Sequence, residues 1–240
     1  MLPIGPSINM LAILIGGFLG AFFQKKIPDR LTKAMPLTFG VAAMTMGVNS
    51  IIQIDSLPPV ILSLLIGSAL GELIRLEKGI EWFAKKVKTP VERLIMRGNR
   101  INVNDEFMQN FVALFVLFSF SGTGVFGSLN EGMTGVPSLL ISKAFLDLFT
   151  AAIFAKSLGY MVMTIAFPQI IVMLSLYYSA SFILPFIEPF MLNNFSAVGG
   201  VIMLATGFRI AGIKNFPIGN MLPALFISMP ISKMWEVLFF

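Results

Sequence analysis

Lys143 and Asp147 stand four residues apart in "LLISKAFLDLFTAAIF" (139–154), a stretch otherwise made of apolar and small residues. Four residues is close to one helical turn, so a helix puts both side chains on one face, although Lys ahead of Asp is the poorer order for a direct pair. In a bilayer each such residue costs about 2.5–3.5 kcal/mol at the centre, so pairing, water or burial inside a bundle must offset it. The two charges are therefore expected to face an interior. Two chemistries fit. Asp147 can bind a cation or proton while Lys143 holds its charge or meets an anion along a path through the protein. Alternatively, the two form a buried ion pair that locks helix packing. An apolar pair would serve packing as well, which favours the path.

Other polar groups in apolar stretches extend such a path. Asn9 lies in the first apolar run and Asn49 near the end of the second. Ser119, Ser121 and Thr123 fall in "SFSGTG", where two glycines weaken the helix and could expose backbone carbonyls. Non-helical backbone at membrane depth is tolerated only where protein or water satisfies it. Asn220 beside Pro223 in "GNMLPAL" is a similar case. Taken singly, each of these residues can simply bond a neighbouring helix.

The elements that must position these groups are set by composition. Of 240 residues, 56% are apolar and 12% charged, and the mean hydropathy is +0.87. Soluble chains carry about 25% charged residues. Continuous apolar runs of about 20 residues match the length a helix needs to cross ~30 Å of hydrocarbon, and they lack the alternation of barrel strands. Spans are expected at about 4–23, 34–52, 57–74, 107–127, 138–155, 160–185, 195–212 and 218–235. The first is expected to be a transmembrane helix and not a removed signal, because it has no basic leader region. The fold class is all-α, a polytopic transmembrane bundle forming one domain over 1–240.

Orientation follows from the cations. Lys25, Lys26, Arg30 and Lys33 fall in one link, eight more between Arg75 and Arg100, and Lys156, Arg209 and Lys214 in two further turns. The alternate turns "QIDS", "SLNEGMTG" and "IEPFMLNN" hold none, which places the basic links in the cytoplasm and both termini outside. Lys233 is a mild exception. Within the link 75–106, Leu76, Ile80, Phe83 and Val87 recur at helical spacing, with Trp82 beside them and Lys85, Lys86 and Lys88 close by. The link reads as an interfacial helix ended by Pro90, which either fixes topology or senses anionic lipid.

Glycines form a second pattern. Gly16, Gly17 and Gly20, Gly67 and Gly71 (a GxxxG), and Gly199 and Gly200 suit close helix packing within the bundle or between copies. Glu72 follows Gly71 at the cytoplasmic edge. Finally, "GVAAMTMG" (40–47) resembles "GVIMLATG" (200–207), and "LPPVILSL" (57–64) resembles "LPALFISM" (222–229). The copies would run in opposite directions across the membrane, the inverted repeat common in secondary transporters.

Several classes are disfavoured. Without Cys or His there are no disulfides, thiol nucleophiles or imidazole relays, and no metal site or cofactor is expected. No HExxH, GxSxG, Walker or dinucleotide motif is present, so the chain is not expected to be an enzyme. The formal charge of +5 belongs to membrane orientation, and nucleic acid is not an expected partner.

"GPSINMLAILIGGFLGAFFQKKIPDRL", "LIGSALGELIRLEK", "GSLNEGMTGVPSLLISKAFLD", "SAVGGVIMLATGFRIAGIK" and "NMLPAL" together resemble the bacterial YqgA/YdfK-type family of multi-pass inner-membrane proteins, over nearly the whole chain. The resemblance implies a bacterial plasma-membrane location and a role in transport, but no substrate, since that family's function is unknown. It also implies that "GSLNEGMTG" and "SKAFLD" form one signature, joining Asn130 and Glu131 to Lys143 and Asp147.

The expected function is a secondary transporter or channel for a small ion or solute, homo-oligomeric and surrounded by lipid, with Asp147 and Lys143 at the centre of the path. The alternative is a non-transporting scaffold or lipid-interacting sensor that uses the basic amphipathic link.

Overall fold

The computed structural model describes residues 2–80, 82, 111, 114, 115, 117–119 and 121–239, and among these all regular structure is helical. The helices are α1 (Ile4–Phe22), α2 (Asp29–Ile51), α3 (Leu57–Leu73), α4 (Gly122–Thr134), α5 (Ser138–Leu158), α6 (Ala166–Ile183), α7 (Pro189–Ile210), the single turn α8 (Ile218–Met221) and α9 (Pro223–Phe239). A 3₁₀ segment, Gly159–Ile165, joins α5 to α6, and a second, Leu184–Phe186, follows α6.

Five stretches are long and apolar enough to cross a membrane: Ile4–Phe22, Asp29–Ile51, Ser138–Ala180, Pro189–Ile210 and Ile218–Phe239. Leu57–Leu73 is a shorter apolar helix. Ser138–Ala180 has 43 residues, about twice what one crossing needs. Gly159 interrupts it with φ 58 and ψ −148, a conformation open to glycine and not to side-chain-bearing residues. Large apolar side chains such as Phe18, Phe22, Phe149, Phe167 and Phe182 stand exposed around the bundle. In water such a surface would be costly; in lipid it is the ordinary exterior. The protein is a polytopic helical membrane protein.

The expected span over 107–127 needs correction. Residues 111, 114, 115 and 117–119 are helical, but Ser121 is extended (φ −66, ψ 147) and starts a new helix. Its Oγ accepts from the Gly124 N–H at 3.1 Å, the usual N-cap bond. That helix, α4, runs through the expected turn "SLNEGMT" and ends only where Gly135 turns left-handed (φ 74), its N–H bonded to the Glu131 carbonyl at 2.7 Å. Asn130 and Glu131 are thus helical residues. α7 also starts earlier than expected, at Pro189, because proline is pre-set for the first helical turn. Of the expected interfacial helix, residues 76–80 are helical and Ile80 is buried against the bundle. Phe83, Lys85, Lys86, Val87, Lys88 and Pro90 lie outside the described residues.

Three close pairings build the bundle. α1 runs parallel to α5, with Gly16 and Gly20 against the backbone of Leu148 and Ala152. α2 crosses α7 antiparallel: a Cβ on Gly40 would lie 2.6 Å from the Gly207 carbonyl oxygen and one on Gly207 2.6 Å from that of Gly40, and Gly47 and Gly200 repeat this relation. Further along, Gly67 and Gly71 of α3 meet Ala224 and Asn220. Small residues let helix backbones approach closely where lipid offers no hydrophobic drive for association. Gly17 packs on Met163 and Gly199 on Phe126.

Candidate functional site

α5 carries the site on the face turned from lipid. Phe145 and Phe149 are exposed, whereas Leu140, Lys143, Asp147 and Thr150 form a buried stripe at helical spacing, with Lys143 3% and Asp147 5% exposed. Two turns of one helix therefore hold two ionisable groups inside the protein. They pair directly, Lys143 Nζ donating to Asp147 Oδ2, despite the less favourable order. Gln169 of α6 donates its Nε2–H to the same Oδ2 at 3.2 Å.

The interrupted helix packs against this pair. Lys143 Nζ lies 5.8 Å from the Phe118 ring centre, within reach of a cation–π attraction. A Cβ on Gly124 would lie 3.1 Å from Lys143 Cε and 3.2 Å from Ser121 Oγ, so glycine there makes room for the lysine stem beside the cap. Ser119, Ser121 and Thr123 are all buried. Ser119 Oγ and Gln169 Oε1 have no hydrogen-bond partner. Buried polar atoms are rarely left so, and each such atom calls for a water, an ion or a function.

A second polar cluster lies one to two turns nearer the start of α5. The Glu131 carboxylate of α4 accepts from the Gly5 N–H through both oxygens, at 3.0 and 3.1 Å. It caps α1, whose N-cap residue Pro3 offers no side-chain cap of its own, and it places negative charge at the positive end of that helix. Asn9 donates to the Gly5 carbonyl at 2.8 Å and to the Leu140 carbonyl at 2.7 Å, and its Oδ1 has no partner. Among the described residues, Glu131, Lys143 and Asp147 are the buried ionisable groups.

The structure thus brings together Asn9, Ser121, Glu131, Lys143 and Asp147 along one side of α5, with Ser119 and Thr123 buried two residues to either side of Ser121 in the chain. Asn130 stands apart, its Oδ1 accepting from Thr134 Oγ1 at 3.4 Å, and Asn49 is exposed on α2. Asn220 lies elsewhere: its Oδ1 accepts from the Glu77 N–H at 2.8 Å and its Nδ2 donates to Glu72 at 2.5 Å, next to the Arg209–Glu77 ion pair of 2.7 Å. It joins α8 to the end of α3 and is no neighbour of Lys143. Sequence reasoning missed Gln169. The signal was a lone amide in an apolar span, separated from Asn9 by the same 160 residues that separate Gly40 from Gly200.

The chain is similar to two curated proteins along most of its length. One, "Uncharacterized protein YqgA" of Escherichia coli (strain K12), is 46% identical over 236 residues, covering 98% of this chain and 99% of that protein. The other, "Uncharacterized membrane protein YdfK" of Bacillus subtilis (strain 168), is 29% identical over 227 residues, 93% of each. No solved structure matches. Matching over residues 4–233, the chain belongs to the family described as "Protein of unknown function (DUF554)".

Proposed function

We propose that the protein is a secondary transporter of the bacterial inner membrane, moving a small ion or solute through a polar path centred on Lys143 and Asp147. One observation carries this reading: Gln169, bonded to Asp147, keeps a buried oxygen that bonds nothing, and so does Ser119, the chain neighbour of the Phe118 ring that faces Lys143. An ion pair kept only for packing needs no bare acceptors beside it, and each costs about 1–3 kcal/mol if left dry. A hydrophilic guest that visits the site removes that cost. The sealing of Lys143 and Asp147 favours a carrier caught closed over a continuously open channel.

An inverted repeat supports the same reading. α2 (Asp29–Ile51) and α7 (Pro189–Ile210) begin 160 residues apart, and their antiparallel contact is reciprocal, Gly40 on Gly207 and Gly47 on Gly200. Such exchange is expected when two copies of a unit face each other across a two-fold axis. The same offset carries Asn9 of α1 onto Gln169 of α6, two buried amides that each leave an oxygen bare. Repeats of this kind hold their sites near the bilayer midplane, where rocking of one unit against the other gives alternating access.

The natural absence of cysteine makes the test direct. Single variants Ser119→Cys, Gln169→Cys and, as an apolar control, Ala151→Cys are treated in membranes with a hydrophilic thiolsulfonate. Positions 119 and 169 should be modified and position 151 spared. If 119 and 169 are as inert as 151, no aqueous path reaches the site and the reading fails.

A further inference from the structure

Charge counting at the site selects a class of cargo. Among the described residues, the interior bounded by α1, α4, α5 and α6 holds Glu131, Lys143 and Asp147, a formal sum of −1 in a medium where charge is poorly screened. The α1 N-terminus facing Glu131 supplies about half a positive charge, which lessens the deficit without cancelling it. The elements packed against α5 bring no further cation to this depth among the described residues. α1 has no charged side chain, α6 offers only Tyr177 and Tyr178, and Asp29, Arg30 and Lys33 sit at the first turns of α2, where Asp29 pairs with Lys156. An anion would deepen the deficit, and a divalent ion beside Lys143 would overshoot it.

Donor chemistry points the same way. Lys143 and Gln169 both bond Oδ2 of Asp147, leaving Oδ1 for another partner. Gln169 Oε1 and Ser119 Oγ, on residues 0% and 1% exposed, accept from nothing. Carboxylate, amide and hydroxyl oxygens are the ligands of hard cations, and they outnumber the Met173 thioether, whose methyl carbon meets Gly124 beside Lys143.

We propose that Asp147, Gln169 and Ser119 form a binding site for an alkali cation, which is the cargo or the coupling ion of the path. This rests on the transport reading above and adds the identity of the ion class.

The test uses the full chain, purified and reconstituted, with ²²Na⁺ and ⁸⁶Rb⁺ as probes and choline as the inert cation. Wild-type protein should retain one of the two tracers and carry it across proteoliposomes. Its melting temperature should rise by about 2–4 °C or more when that alkali chloride replaces choline chloride at equal ionic strength. Ser119→Ala and Gln169→Leu should each weaken retention about tenfold or more, the effect of losing one bond to a charged partner. The pair variant Lys143→Met/Asp147→Asn, which leaves no lone charge at the site, should fold and retain neither tracer. Absence of retention by wild type overturns the proposal, as does retention without flux, which would make the ion structural. If cysteines 119 and 169 are modified and an uncharged solute permeates while neither tracer binds, the cation assignment falls and the transport reading stands.

Discussion

Removing one member of the Lys143–Asp147 pair should cost far more than removing both. Asp147→Asn keeps the shape and a hydrogen-bond acceptor but leaves the Lys143 ammonium, 3% exposed, with no carboxylate partner. Lys143→Met leaves Asp147 with only the Gln169 amide. Breaking a buried pair in this way costs about 3–5 kcal/mol, whereas replacing both partners with neutral groups of similar volume is close to neutral. The double-mutant cycle should therefore yield a coupling of at least about 3 kcal/mol, well above the 0–1 kcal/mol of a pair that water screens. Reversible unfolding in mixed detergent micelles, followed by loss of helical circular dichroism, measures all four proteins. If the two single losses add to give the double, with coupling under about 1 kcal/mol, the pair is wet in the resting protein. The carrier caught closed would then be the wrong picture, because the argument for it depends on a sealed pair.

Other expectations use the same unfolding assay. Glu131→Gln removes the charge that caps α1 and should destabilise by about 1.5–3 kcal/mol, the worth of bonds to an ionised acceptor; an unchanged protein would mean that α1 is capped by something else. Gly207→Ala drives a methyl group into the Gly40 carbonyl and should cost about 1–3 kcal/mol, while Gly79→Ala, with open space around it, should be neutral or stabilising. Equal effects at the two positions would refute the close α2–α7 crossing. Asn194→Ala strips the acceptor from the Asp55 and Ser56 N–H groups, at 3.2 and 2.9 Å, and should cost about 1–3 kcal/mol, with faster amide exchange confined to those two residues and their neighbours.

Helical class and the first three helices were legible because hydropathy and cation placement act locally: charge ends a span wherever it falls. The inward turn of Lys143 and Asp147 was legible for the same reason, since a helix with Phe145 and Phe149 on one side and two charges on the other has only one way to face lipid. The region 107–134 was not legible. Its apolar content reads as one span, and only the Ser121 cap and the left-handed Gly135 divide and extend it, through bonds that composition does not encode. Asn220 misled because an amide next to a proline looks alike at any depth. Its partners, Glu72 and Glu77, come from residues more than 140 positions away.

Asn9 and Gln169 bear on the proposed repeat and the proposed site together. Each is fully buried, each spends its amide N–H groups on α5 or its own helix, and each keeps a carbonyl oxygen bare. Packing alone would select against such a residue, because leucine fills similar space without an unsatisfied acceptor. If the two are equivalents of one ancestral position, the bare oxygen was a property of the unit, and the path is lined by the same chemistry entered from opposite faces. In that case Asn9→Leu and Gln169→Leu should each lower flux, beyond any stability lost with the hydrogen bonds of each amide. A chain in which Gln169→Leu alone affects flux would place the working site wholly at Asp147 and reduce Asn9 to a strut between α1 and α5.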